Sequence, residues 1–304
     1  MSHTLVAGAP GASVQANGPG LAVGTPGCAA AGTPASASPP APAPSAHASP
    51  WHRHAPLLWK LASFAIFFGL WEIAGRIPIS LAFPPFSKVV VAMFNLLASG
   101  ELIKAYANTL PPLIAGLVIT AVLGVACGIA MGLSRLTEWA LYPAMVIMQT
   151  APMAAIIPLI TFLYGIGITA KIIAVVILSL PMVTMNCYSG IRQTNASLLE
   201  MTRSFMGTRR QQVTKIILPH ASGMIFAGLR LGISGGFIGI VLAELLITPT
   251  GIGDTISYYR SVARYPEMFA AIVSIIVLAT LVLTSLQLIE RRVFKALGQQ
   301  HTQT

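Results

Sequence analysis

Six stretches of apolar residues, each long enough to cross a lipid bilayer, constrain this chain more than any other feature. A bilayer-crossing helix needs about 20 mostly apolar residues. The predicted spans cover about residues 57–75, 110–133, 140–164, 172–188, 222–247 and 268–289. Only 9% of the 304 residues are charged, whereas soluble domains carry roughly 25%. The sequence therefore predicts an all-α integral membrane protein with six transmembrane helices and excludes an ordinary soluble enzyme.

Prolines interrupt two of these spans. Pro143, Pro152 and Pro158 lie in the third, and Pro181 lies in the fourth. Proline is tolerated in a membrane helix where neighbouring groups satisfy the freed carbonyls, so we expect both spans to be bent and packed against protein. A further amphipathic helix is predicted over 87–97, which is too short to cross.

The first fifty residues differ from the rest. They contain no Asp, Glu, Lys or Arg and are rich in Ala, Pro, Gly and Ser, a composition typical of disorder. A secretory signal would need a basic start and an apolar run of about 7–15 residues. We predict a disordered cytoplasmic tail over 1–50, a transmembrane domain over 51–295 and a short tail over 296–304.

The distribution of Lys and Arg predicts the orientation. If the N-terminus is cytoplasmic, eleven of the 18 basic residues lie inside, six lie outside and Arg230 lies within a span. Cytoplasmic loops carry the excess of basic residues in membrane proteins. Both termini are therefore predicted to be cytoplasmic, and the net charge of +10 needs no nucleic-acid partner.

Recognisable catalytic patterns are missing from the sequence. It has no G-x-x-x-x-G-K-[ST] phosphate loop, no H-E-x-x-H and no paired carboxylates at catalytic spacing. Its three Cys and six His do not fall at metal-binding spacings. We therefore predict a non-enzymatic chain with no metal site and no ATP site of its own.

The predicted cytoplasmic loop 191–220 is the longest on its side. Its first half predicts a short helix with Leu198, Leu199, Thr202, Phe205 and Met206 on one face. Its second half predicts another helix, with Val213, Ile216 and Ile217 apolar, which ends at Pro219. Gly207 between them can adopt positive φ and allow a sharp turn. This apolar surface either covers the chain's own helix ends or docks in a groove of another protein.

The same loop resembles the EAA motif of permease subunits of bacterial ATP-binding-cassette (ABC) importers. The matching positions are Glu200, Gly207, Ile216, Leu218 and Pro219, while Met201 and Thr202 stand where the family has two alanines. Further stretches resemble the nitrate/sulfonate/taurine-type branch: Trp71-Glu72, Phe83–Ser87, Tyr164–Gly167, Gly190–Arg192, Gly228–Arg230, Ala243-Glu244 and Thr250–Gly253. The likeness covers roughly residues 57–295.

This resemblance implies a type I ABC-importer permease fold in a bacterial inner membrane. Two permease subunits, here expected as a homodimer, would form the path, two cytoplasmic ATPase subunits would bind ATP, and a periplasmic binding protein would deliver the solute. The residues expected to couple to the ATPase are Glu200, Met201, Thr202, Phe205, Met206, Gly207, Ile216, Leu218 and Pro219. The expected solute is a nitrate-, sulfonate- or taurine-like anion, with a vitamin precursor or an aromatic compound as the alternative.

Several residues keep a second interpretation. Glu200 either couples to the ATPase or only caps and solvates its helix. Arg230 and Glu244, charged residues within the fifth span, either line the path or are structural, because charges at that depth usually face protein or water. Residues 248–265 either contact the binding protein or pack back onto this chain.

Two other classes of protein remain as rivals. A secondary transporter would need ion-coupling acids within the spans, where only Glu244 is a clear candidate. A membrane enzyme would need a reactive constellation that this sequence does not contain.

Overall fold

The computed structural model describes residues 51–77, 82–247 and 249–296, and it describes side chains except those of 51–58, 153–154 and 293–296. The described residues from Leu57 onward belong to one compact unit. The predicted disordered tail over 1–50 and residues 297–304 of the predicted C-terminal tail lie outside the described residues.

Every regular element in the described ranges is helical. In chain order the helices are α1 (Trp51–Arg76), α2 (Phe86–Ala98), α3 (Glu101–Leu133), α4 (Arg135–Thr150), α5 (Met153–Tyr164), α6 (Ile168–Arg192), α7 (Ala196–Ser204), α8 (Arg209–Gln212), α9 (Leu218–Leu246), α10 (Ile252–Ser261) and α11 (Tyr265–Ala296). A π-helical turn, Val213–Ile217, joins α8 to α9, so the chain is helical from Arg209 to Leu246.

Four of these helices are long and apolar enough to cross a membrane: Glu101–Leu133, Ile168–Arg192, Arg209–Leu246 and Tyr265–Arg292. They match the predicted second, fourth, fifth and sixth spans. The fourth predicted span is the single helix α6, which continues without a break through the buried Pro181.

The third predicted span is a broken one. Helices α4 and α5 meet at 110°, because Ala151 and Pro152 adopt extended backbone between them. Proline lacks an N–H group and disfavours helical backbone at the residue before it. Counted as one span, this pair brings the total to five.

The predicted first span lies in α1. From Trp59 to Arg76, where its side chains are described, this helix carries Lys60, Glu72 and Arg76. Judged on the described residues, α1 is not one of the helices that are long and apolar enough to cross a membrane.

Helix α6 lies between α3 and α9 and forms the centre of the fold. Glycines allow the close approach: a Cβ atom at Gly116 would lie 2.6 Å from Val175, and one at Gly232 would lie 2.4 Å from Val183. Small residues at helix crossings are a common means of tight packing in membranes, where van der Waals contact replaces the hydrophobic effect. The backbones of α3 and α9 therefore both lie close against α6.

The segment before α2 is held by α1. The Trp71 indole N–H donates to Pro84 O at 3.2 Å, and the Glu72 carboxylate accepts from both the N–H and the hydroxyl of Ser87. Pro85 has no capping side chain, so Glu72 provides the acceptor that an N-cap residue usually supplies. The short helix predicted over 87–97 is confirmed as α2.

Candidate functional site

The connection between α6 and α9, residues 193–217, contains most of the predicted coupling residues. Asn195 caps the start of α7 by accepting a 3.0 Å hydrogen bond from Ser197 N–H. Thr208 caps α8 in a reciprocal capping box with Gln211. Each short helix thus has its own start signal, which fixes where the connection turns.

The turn after α7 is a Schellman motif. Gly207 N–H donates to Thr202 O at 2.9 Å, and Met206 N–H donates to Arg203 O at 3.0 Å, the bonding pattern of that motif. The left-handed residue is Met206, with φ of 54°, whereas the sequence suggested Gly207.

Gly207 is needed for a different reason. A Cβ atom there would lie 2.6 Å from Thr202 Cγ2 and 3.0 Å from Thr202 O. Close approach to the preceding helix, rather than positive φ, excludes a side chain at this position.

The predicted single apolar face of α7 is divided in the structure. Leu198, Leu199 and Thr202 are partly buried, and Leu199 packs on the Ile191, Ile217 and Ala221 cluster. Phe205 and Met206 lie beyond the end of α7 and are 81% and 93% exposed. The partly buried residues therefore cover the chain's own helix ends, whereas Phe205 and Met206 remain available to a partner. The surface divides because α7 ends at Ser204 and the chain turns away.

The exposed end of α7 combines apolar and charged groups. Met201 is 48% exposed, and Glu200 is exposed. Within the described residues Glu200 forms no ion pair and caps no helix. The surface formed by Glu200, Met201, Phe205 and Met206, here called the α7 tip, is open to a partner.

Pro219 does not end the second helix, contrary to the sequence interpretation. The π-helical turn before it uses a wider bond, from Leu218 N–H to Val213 O. This geometry accommodates a residue that has no N–H group and whose ring would clash in a regular turn. The α8 segment is therefore continuous with α9, with Ile217 buried and Ile216 and Leu218 partly buried.

Glu244 lies in a buried polar cluster at the opposite end of α9. Lys171 Nζ donates to Glu244 Oε1 at 2.8 Å, and their side chains are 4% and 0% exposed. The single hydroxyl proton of Thr109 is shared between the two carboxylate oxygens, which lie 2.9 and 3.0 Å from Oγ1, and Gly253 N–H donates to Oε2 at 3.0 Å.

The three N–H donors of the Lys171 ammonium all have acceptors. Besides Glu244 it donates to the carbonyl and the hydroxyl of Thr250, at 3.0 and 3.2 Å. Thr109 in turn accepts from Ile252 N–H at 3.0 Å. Four helices, α3, α6, α9 and α10, therefore meet at one ion pair, the Lys171–Glu244 cluster.

Arg230 does not approach Glu244. It pairs with Glu290 of α11, with 3.6 Å between Arg230 Nη2 and Glu290 Oε1 and side-chain exposures of 35% and 13%. A pairing of this kind with a neighbouring helix was one of the two interpretations that the sequence left open.

The segment 249–265 packs back onto the chain through one face of α10. Tyr259 donates to Glu101 Oε2 at 2.7 Å and is 3% exposed. Burial, together with this bond to a carboxylate, raises the pKa of Tyr259 to about 12. The opposite face keeps Tyr258 55% exposed, so the segment also offers an outer surface.

Sequence reasoning missed Lys171 and Glu290. Lys171 was one of the six basic residues predicted to lie outside the membrane, although it is only 3% exposed. Its position against the start of an apolar span was the available signal, since a lysine there needs either water or an acid. The acid, Glu244, is 73 positions away, and only packing identifies it.

Comparison with known proteins gives one family. Residues 121–295 match the family described as "Binding-protein-dependent transport system inner membrane component". The chain is 30% identical over 233 residues to a Bacillus subtilis protein named as an aliphatic sulfonates transport permease, SsuC, covering 76% of this chain and 84% of that one. It is 25% identical over 240 residues to the taurine transport system permease protein TauC of Escherichia coli, covering 77% and 87%.

A solved structure shows the same fold. A crystal structure of an amino acid ABC transporter has a chain that is 20% identical, with a TM-score of 0.50 over 67% of this chain and 96% of that one. At this identity the likeness concerns the fold alone.

Proposed function

Because this chain belongs to the binding-protein-dependent transport system inner membrane components, we propose that the 193–217 connection couples it to an ATPase subunit. The chain is the permease subunit of an ABC importer in the sulfonate and taurine branch. It is a multi-pass inner-membrane transport subunit and not an enzyme.

The observation that carries the coupling proposal is the α7 tip. Exposed apolar side chains such as Phe205 and Met206 mark interaction surfaces when they lie together. Glu200 beside them supplies a carboxylate that forms no ion pair within the described ranges, and it would face a basic group of the ATPase. Gly207 sets its turn against Thr202. Ile216, Leu218 and Pro219 lie in the helical segment on which α7 packs through Leu199. ATP would be bound by the partner subunit.

The geometry of the connection supports transmission of movement. The segment from Arg209 to Leu246 is helical throughout, and α7 packs on its first turns through Leu199. Displacement of the α7 tip would therefore move α9 directly. Since α9 packs along α6 and carries Glu244 at its far end, movement would reach both ends of the fold.

The complete architecture proposed here has six spans, with α1 as the first and the α4–α5 pair as the third, and both termini in the cytoplasm. Two copies would form the path, and a periplasmic binding protein would deliver a sulfonate- or taurine-like anion. Nitrate is a further candidate for the transported anion. The vitamin-precursor and aromatic alternatives stay predictions, which ligand binding by the cognate binding protein would decide.

Co-purification with the cognate ATPase subunit tests the coupling proposal. Glu200→Gln and Phe205→Ser are expected to reduce the amount of ATPase retained and the ATP-driven uptake into proteoliposomes. Leu136→Ser is the matched control, because Leu136 is an equally exposed apolar residue, at 82%, outside the α7 tip. It lies near the start of α4, at the same end of the fold, since Glu138 of α4 lies 4.0 Å from Arg192 at the end of α6. Full ATPase retention and uptake in both tip variants would contradict the proposal.

A further inference from the structure

A cleft of about 520 Å³ separates the 193–217 connection from the ends of α3 and α6. Its apolar lining comes from Leu133, Ile191, Leu199, Val213 and Ile217. Four arginines, Arg192, Arg203, Arg209 and Arg210, contribute the charged part of the lining. The cleft is thus amphipathic, with a hydrocarbon-like surface beside a concentrated positive charge.

The positive charge of this cleft is not balanced within the described residues. No acidic residue lines it. Arg192 alone has an acidic neighbour, with 4.0 Å between Arg192 Nη2 and Glu138 Oε1. Arg203, Arg209 and Arg210 form no ion pair in the described part of the chain. Such a group of guanidinium ions attracts an anion, and phosphate oxygens match the fork geometry of arginine.

A second observation points to a ligand. Thr194 also lines the cleft and is 9% exposed, and its hydroxyl has no hydrogen-bond partner among the described residues. Buried hydroxyl groups normally have a partner. A polar ligand group in the cleft would provide one after a small side-chain movement.

We propose that this cleft binds an anionic phospholipid of the cytoplasmic leaflet. The phosphate group lies among the arginines, and an acyl chain lies on the apolar lining. Basic pockets between transmembrane helices on the cytoplasmic side are suited to such head groups. This inference rests on the proposed cytoplasmic placement of the connection. Residues 1–50 and 297–304 contain no Asp or Glu, so they offer these arginines no side-chain carboxylate.

The bound lipid has a mechanical consequence. Its head group contacts α7 and α8 through Arg203, Arg209 and Arg210, while its acyl chain contacts the end of α3 at Leu133 and of α6 at Ile191. It therefore fills the space behind the α7 tip and stiffens the connection against the helix ends.

The test measures lipid retention by the purified full chain without any ATPase subunit. Native mass spectrometry compares added dioleoylphosphatidylglycerol with dioleoylphosphatidylcholine. The wild type is expected to retain the anionic lipid preferentially. The triple variant Arg203→Gln, Arg209→Gln and Arg210→Gln is expected to lose at least about tenfold in affinity, given the contribution of each basic residue near anionic lipid.

Two further variants separate charge from folding. The control triple Arg135→Gln, Arg291→Gln and Arg292→Gln removes the same charge from exposed residues outside the cleft and is expected to keep wild-type affinity. Replacing the three cleft arginines by lysine keeps the charge and is expected to preserve the preference for the anionic lipid.

Four outcomes would overturn the proposal. These are equal binding of both lipids, equal loss in the control triple, loss in the lysine variant as severe as in the glutamine variant, and displacement of lipid by millimolar inorganic phosphate. Because lipid retention is measured without ATPase, its failure is distinguishable from failure of Glu200-dependent coupling.

Discussion

The ammonium of Lys171 lies 2.8 Å from Oε1 of Glu244, and both side chains are removed from solvent between α6 and α9. Each partner has further hydrogen bonds, Lys171 to Thr250 and Glu244 to Thr109 and Gly253. Burial of two charges is unfavourable unless their remaining hydrogen-bonding capacity is satisfied, and here it is satisfied. The cluster therefore joins four helices at one point.

Removing one partner of this pair should destabilise the protein strongly. Lys171→Met and Glu244→Gln each leave buried polar groups unpaired, and loss of one partner of a buried pair costs roughly 3–5 kcal/mol. The double variant is expected to lose less than the sum of the two single losses. Thermal unfolding in detergent measures all three. Additive losses would show that the two residues act independently.

Gly251 should tolerate no side chain, because its Cβ atom would lie 2.2 Å from Glu244 Oε1. Gly165 provides the control. Both residues occupy backbone that is open essentially to glycine alone, with φ of 100° and 78°, but nothing lies within 4 Å of a Cβ atom at Gly165. Gly251→Ala should therefore lower the unfolding temperature much more than Gly165→Ala. An equal fall in unfolding temperature in the two variants would show that the positive φ, and not the contact with Glu244, causes the destabilisation.

Gly207→Ala should weaken ATPase co-purification, because the new Cβ atom would clash with Thr202 Cγ2 at 2.6 Å and distort the turn behind the α7 tip. Thr202→Ala removes that methyl group. The double variant Thr202→Ala, Gly207→Ala is expected to recover part of the retained ATPase. No recovery would mean that contact with the Thr202 carbonyl, at 3.0 Å, decides the outcome.

The pair Tyr259–Glu101 should make stability sensitive to alkaline pH. The pKa of Tyr259 is raised to about 12 from about 10 in an unfolded chain. The neutral phenol is the form that the fold favours, so this contribution is complete below pH 10 and is lost as the pH rises from about 10 to 12. Unfolding temperatures measured at pH 9 and 11 should fall less in Tyr259→Phe than in the wild type.

Arg230 and Glu290 should behave alike if their pairing only joins α9 to α11. Arg230→Gln and Glu290→Gln are then expected to reduce stability by about 1 kcal/mol or less, as for other partly exposed pairs, with unchanged KM for uptake. A raised KM in Arg230→Gln alone would instead place Arg230 in the translocation path. Thermal unfolding and uptake into proteoliposomes provide the two measurements.

Span length and apolarity are properties of the local sequence, and four of the predicted spans were found within single helices for that reason. The third was predicted as bent, yet only the structure gives the 110° break at Ala151 and Pro152. The caps of α7 and α8 are also local, since Asn195 and Thr208 act on residues two or three positions away.

Hydrophobic length and short-range motifs were enough to predict a helical membrane protein and to single out the loop 191–220, because neither feature depends on a folding partner. Which charges meet depends on how the helices pack. Lys171 and Glu244 are 73 positions apart, and they pair because the glycines of α9 allow it to pack closely along α6. Packing also determines that Leu199 faces the chain while Phe205 faces outward, since burial depends on where α7 ends and on what packs against it.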